Sequence, residues 1–310
     1  MDFQATVMQM IMFFLVIAVG FTIKKLKVIE DSFDGQLSKL VLSVTMPCMI
    51  LASSLVSKKP DDPMLIWMVF LFSIGAYVIL MALAFLVPWL FRFKKADRGT
   101  YGFMVAFGNV GFIGFPVVGA IFGPEAIVYG AIFNIPFNTF LFTVGVFLIS
   151  DSKDNLKERI ISSAKNIISP TSLACFAAMA ITLLKIDDSS VVTQTLSLIG
   201  QITVPSALIL IGSTLARYRI REMFINFRAF IIAAFRLFIG PIIIFFIFRL
   251  FIDDPILLGT IVLLSAMPVA TNGALFCIHY GGNLKLMLQG TFITTLFSLA
   301  SIPLLTLLFM

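Results

Sequence analysis

The stretch Phe107-Gly-Asn-Val-Gly-Phe-Ile-Gly-Phe-Pro116 sits inside an apolar run long enough to cross a membrane, yet it sets three glycines, one proline and an amide where a spanning helix should be most uniform. Hydrocarbon offers no water to backbone groups released by a broken helix, so such a break survives only where protein or a polar cavity satisfies them. A second break of the same character stands at Ala266-Met-Pro-Val-Ala-Thr-Asn272. Two interrupted spans at corresponding places in two halves of a chain point to the binding site of a transporter.

Composition agrees with a membrane setting. With 60% hydrophobic and 12% charged residues and a mean hydropathy of +1.07, too little polar surface exists to cover a soluble globule. The net charge of +6 would suit nucleic acid, but the basic residues fall in short clusters between apolar runs, as membrane topology requires. No nucleic-acid partner is expected. The first run, Thr6 to Ile23, is followed by Lys24, Lys25 and Lys27 without a small-residue cleavage site, so it reads as a retained helix and not as a signal peptide. Cys48, Cys175 and Cys277 lack CxxC spacing and read as small packing residues. The sequence has no metal-ligand cluster, nucleophile-base pair or phosphate loop, which argues against an enzyme and against any cofactor.

Apolar runs separated by polar breaks give about ten spanning helices, near 5–23, 36–56, 64–91, 101–122, 125–149, 166–185, 192–216, 226–251, 256–279 and 284–309. Spans 4 and 5 are divided only by Gly123-Pro124-Glu125, and spans 9 and 10 by Tyr280-Gly-Gly-Asn283. Basic residues fall on every second loop: Lys24, Lys25, Lys27 and Lys39; Arg92, Lys94, Lys95 and Arg98; Lys153, Lys157, Arg159 and Lys165; Arg217, Arg219, Arg221 and Arg228; and Lys285. The opposite loops hold Lys58, Lys59, Lys185 and Arg249. The positive-inside rule places the basic loops in the cytoplasm and both termini outside a cell (plasma or inner) membrane. The fold class expected is all-α, a single multi-pass membrane domain over 1–310.

Val44-Thr-Met-Pro47 in span 2 recurs as Ile202-Thr-Val-Pro205 in span 7, and Pro116 recurs as Pro268 at a similar offset. Residues 1–150 and 166–310 thus form two five-helix repeats. Five is odd, so the second enters the membrane from the opposite side. Inverted repeats of this kind build alternating access.

The stretches 107–116 and Ser265-Ala-Met-Pro-Val-Ala-Thr-Asn272, with the closing Thr294-Thr-Leu-Phe-Ser-Leu-Ala-Ser-Ile-Pro303, resemble those of the auxin efflux carrier family, which includes bacterial members and the plant PIN-type carriers. Ser169-Pro170-Thr171 is similar to that family's Asn-Pro start of the second half, with Ser in place of Asn. The resemblance covers essentially the whole chain. It implies a fold like that of bile-acid sodium symporters and sodium/proton antiporters. Spans 1, 2, 6 and 7 would form a scaffold, and spans 3–5 and 8–10 a moving transport domain in which broken spans 4 and 9 cross. It also implies a small carboxylate as substrate, auxin-like or a dicarboxylate such as malate or malonate, with Asn109 at the substrate site. The large central cytoplasmic loop of many plant members is missing here.

The residues themselves favour an anion. Proline suits the first turn of a helix, so Pro116 and Pro268 are expected to begin the second half-helices of spans 4 and 9. Two N-termini would then face each other near the midplane, each with partial positive charge and free N–H groups. Candidate substrate contacts are Asn109, Gly114, Phe115, Pro116, Asn134, Asn138, Pro268, Val269, Thr271 and Asn272. For Asn109 and Asn272 the alternative role is capping the broken helix. For Asn134 and Asn138, on one face of span 5 beside Thr139, it is an interhelical hydrogen bond to span 4. Pro47 and Pro205, with Thr45 and Thr203, read as hinge or scaffold kinks. Arg236, deep in span 8, either compensates substrate charge or holds carbonyls exposed by broken span 9. His279 reads as an interfacial residue rather than a proton carrier.

Every Asp and Glu falls in a loop or at a span edge, which argues against cation/proton antiport. Efflux or uniport driven by membrane potential ranks above sodium-coupled symport, and a channel or non-transporting membrane scaffold is the alternative from another class. Expected partners are the organic anion and membrane lipid, with a homodimer through the scaffold helices as the assembly left open.

Overall fold

The computed structural model describes residues 3–58, 63–150, 156–217 and 220–309. Lys59, Lys153 and Arg219, used in the charge pattern above, lie outside them. In chain order the helices are α1 (Phe3–Lys25), α2 (Asp31–Val56), α3 (Met64–Leu90), α4 (Arg98–Ala106), α5 (Val110–Phe122), α6 (Pro124–Ile149), α7 (Leu156–Ala164), α8 (Pro170–Leu183), α9 (Val191–Ala216), α10 (Phe227–Phe248), α11 (Pro255–Ser265), α12 (Gly273–Tyr280) and α13 (Leu284–Phe309). Among the described residues no strand occurs beyond one isolated bridge, and six helices are long and apolar enough to cross a membrane. The boundary between the fourth and fifth apolar runs falls at Gly123, whose φ of 85° ends α5. Gly281, at φ 92°, ends α12 in the same way, because that backbone conformation excludes most side chains.

Three π-turns show how proline is accommodated inside these helices. Val41–Thr45, Val110–Gly114 and Phe235–Ile239 each end two residues before a proline, namely Pro47, Pro116 and Pro241. Proline cannot donate to the preceding turn, and its ring collides with the carbonyl four residues back, so widening that turn relieves the clash. A carbonyl loosened in this way needs another donor, and that of Leu42 accepts 2.6 Å from Thr171 Oγ1 on α8. In α9 the chain turns at Gln201–Ile202, and Pro205 enters the next helical turn. Thr45 and Thr203 are buried with no partner for their hydroxyls.

α1 runs along the second half of α9, where Gly20 and Gly212 let the backbones approach so closely that a Cβ at either would meet a carbonyl oxygen, of Ile209 or Ile17. α8 lies along the second half of α2, and the first half of α9 against the same segment. A large apolar core includes Tyr77, Phe107, Phe133, Leu264 and Met267 and reaches Phe13 and Ile17 of α1 and Leu208 and Ile211 of α9. A second apolar cluster gathers Met46 and Ile50 of α2, Phe112 and Phe115 of α5 and Ala207 of α9.

The crossing of two broken helices

The first broken span is α4, an unwound turn at 107–109, and α5; the second is α11, a longer unwound segment at 266–272, and α12. The two unwound segments pair with each other. Gly108 and Val269 form an antiparallel bridge, Asn109 N donates to Pro268 O at 2.7 Å, and Ala270 N donates to Phe107 O at 3.0 Å. Val269 N donates at 3.0 Å to Thr294 Oγ1 of α13. Backbone groups freed by one break are thus satisfied by the other, as an interior without water demands.

Pro116 stands in the first turn of the α-helical segment Phe115–Phe122, as helix-start preference expects, but Pro268 does not start its half-helix. Pro116 lies inside α5, behind the π-turn that makes room for it, and Pro268 lies in extended chain ahead of α12. With its π-turn, α5 begins behind Asn109, whose Oδ1 accepts from Phe112 N at 3.1 Å. An asparagine side chain supplies an acceptor the helix start lacks, whereas proline supplies a preset φ and one donor fewer.

Asn109 therefore caps the helix, but it uses one half of its amide to do so. Its Nδ2 is buried and has no partner in the protein. Asn272 precedes α12 and makes no side-chain cap bond. Asn272 and Thr271 line a cavity of about 540 Å³ between α12 with Phe112 on one side and α2 with α9 on the other. Ala274 and Leu275 of α12's first turn line it too, with Asp34, Arg217 and His279 on other parts of its wall. Asp34 is buried there, 2.6 Å from Arg217 and accepting from Ser213 Oγ at 2.6 Å. A second cavity of about 310 Å³ includes Phe115, Pro116, Ser53, Ser197 and Gln201 in its lining. Gly114, Pro268 and Val269 are buried.

Asn134 and Asn138 turn to α8, not to the neighbouring broken span. Asn138 Nδ2 donates to Ser172 Oγ at 3.0 Å, and Asn134 Nδ2 reaches Cys175 Sγ at 3.6 Å. The face they share is the face of α6 that packs on α8. Thr139, by contrast, is exposed and bonds back to Ile135 O of its own helix.

Arg236 is fully buried, and its guanidinium spans both breaks. Nε donates 2.7 Å to Met267 O, and Nη1 donates 3.0 Å to both Val105 O and Ala106 O. The expected grip on the second break is present, and the grip on the end of α4 was not foreseen. Gly108, Phe112 and Thr294 were also missing from the candidate set. The only signal for Gly108 was its place next to Asn109.

A chain in which two broken apolar helices satisfy each other's backbone in a buried crossing has the features of a membrane transport protein. The chain belongs to the membrane transport protein family, the auxin efflux carrier family, which matches residues 5–306. It is similar to a Rhizobium meliloti protein named "Putative malonate transporter", 26% identical over 94% of this chain and 91% of that one. It is also 26% identical to an "Uncharacterized transporter" of Methanothermobacter thermautotrophicus, over 93% of each chain.

Proposed function

We propose that this protein is a secondary transporter that moves a small carboxylate, with malonate the first to try, across the cell membrane by alternating access. The carrying observation is the crossing itself, flanked by two cavities, with a buried unpaired amide at Asn109 and an uncommitted one at Asn272. The starts of α5 and α12 bring partial positive charge toward an anion without a dissociable base. In this reading the ten apolar runs are ten spans in two inverted repeats. The first helix of each repeat packs on the second helix of the other, α1 on α9 and α8 on α2, as an inverted two-fold relation would have it. These four helices act as the scaffold, and α3–α6 with α10–α13 move against them.

The basic loops lie in the cytoplasm on this reading, so the cavity beside Arg217 and His279 opens inward and the one beside Gln201 and Ser197 belongs to the outer path. A net anion moves, so flux follows membrane potential. Purified protein in liposomes preloaded with malonate should give counterflow of labelled malonate or a close dicarboxylate. That flux should respond to a potassium-valinomycin potential and be indifferent to replacement of sodium by N-methylglucamine. Flux without trans-stimulation would make the protein a channel, and strict sodium dependence would make it a symporter. Single cysteines placed near Arg92 and Lys285 should be shielded from an impermeant thiol reagent outside intact cells, and one near Asp253 labelled; the reverse would invert the topology.

A further inference from the structure

Four helix ends meet at the crossing. α5 and α12 bring their N-termini to it, while α4 and α11 bring their C-termini, with partial negative charge and carbonyls that lack intrahelical donors. If all four ends were bare, the negative pair would offset the field of the positive pair, and three carbonyls would stand unsatisfied in an apolar interior. One side chain prevents both. Arg236, within the π-turn Phe235–Ile239 of α10, takes Val105 O and Ala106 O at the end of α4 and Met267 O just past the end of α11.

We propose that Arg236 is a positioning residue, a built-in cation that clamps the C-terminal ends of both incoming half-helices and so leaves the crossing with a positive field for an anion. Backbone carbonyls freed in this way are ligands that a dissociable metal cation also uses; here the guanidinium, through Nε and Nη1, takes all three. A planar fork is needed, because the acceptors belong to two different helices and a compact ammonium cannot span them as well. Gly108 completes the arrangement. A Cβ at that position would lie 1.9 Å from Arg236 Nη2 and 2.9 Å from Met267 O, so the bridge strand stays bare to let the guanidinium in. Nη2 itself has no protein partner, which leaves one charged donor beside the bridged segment.

The clamp is a statement about structure; its consequence for transport rests on the carrier reading above. Arg236→Ala, purified in detergent, should melt about 10 °C below the unaltered protein, because a buried network loses its only cation. Guanidinium at low millimolar concentration, far below denaturing levels, should recover most of that loss. Urea, nearly the same shape but neutral, should not. Rescue by both would show that charge is irrelevant, and rescue by neither that only the tethered packing matters; either result overturns the proposal. Arg236→Lys should melt between the two, and this variant serves if Arg236→Ala does not fold. The unaltered protein should melt alike in sodium, potassium and N-methylglucamine, and a drop of several degrees without sodium would show a dissociable cation in the clamp's place and overturn the proposal as well. Malonate counterflow should vanish in Arg236→Ala and return with guanidinium. If the unaltered protein carries no carboxylate while the melting pattern holds, the carrier reading fails and the clamp stands. If Arg236→Ala carries malonate without guanidinium, the clamp fails and the carrier reading stands.

Discussion

In the first break three residues, Phe107 to Asn109, turn one half-helix into the next, whereas seven, Ala266 to Asn272, separate the half-helices of the second. Each break contains an asparagine and has a proline nearby, and the two use them in opposite ways. In the short break Asn109 starts the next helix with its own side chain, and the proline is absorbed later by a π-turn. In the long break Pro268 holds extended chain whose carbonyl receives Asn109 N, and Asn272 is left with its side chain uncommitted at a cavity wall. The difference teaches that a proline beside a break marks where backbone donors are missing. Where the helix restarts depends on which side chain can replace them.

The largest effect should come from filling the bridge between the breaks. Gly108→Ala places a methyl group against Met267 O and against an Arg236 guanidinium held by three carbonyls, and should destabilise by about 3 kcal/mol. A thermal melt on purified protein reads it. An unchanged melting temperature would mean that the two segments are not held this tightly.

Next comes the amide of the short break. Asn109→Ser retains a capping oxygen for α5 and removes the unpaired Nδ2, so carboxylate affinity should fall about ten-fold to a hundred-fold while melting changes little. Asn109→Ala should lower both. If Asn109→Ser binds malonate as the unaltered protein does, the residue is a cap alone.

Asn272 should show the simpler behaviour, because it caps nothing. Asn272→Ala is expected to cost about ten-fold in affinity, the low end for a bond to a charged group, with the melt unmoved. A lower melt with unchanged binding would exchange the roles of the two asparagines and break the comparison.

The smallest effect is expected away from both breaks. Asn138→Ala removes one hydrogen bond to Ser172 and should cost about 1 kcal/mol of stability, leaving malonate affinity intact. Loss of binding in this variant would return α6 to the substrate site.

Much of this protein was legible in its sequence because membrane constraints act on local composition. Apolar runs, basic loops and glycine-rich interruptions identify the helices and both breaks without any knowledge of packing. The misplacement of Pro268 shows where local rules stop. Helix-start preference describes an isolated end in water, but Pro268 sits in extended chain paired with the other break inside a packed interior. Asn134 and Asn138 were recognisable as a polar pair on one face, yet their partners lie 41 and 34 residues away in the chain, beyond the reach of periodicity.

The sequence by itself pointed to an all-helical multi-pass membrane protein with two interrupted apolar runs, since long apolar runs with buried backbone satisfy it most directly as helices. Only the tertiary structure decided how the breaks are satisfied. The β-bridge between Gly108 and Val269 and the bonds of Arg236 to Val105 and Ala106 each join residues more than a hundred positions apart, and hydrogen bonds of that span depend on where helices cross in space, which no local pattern encodes.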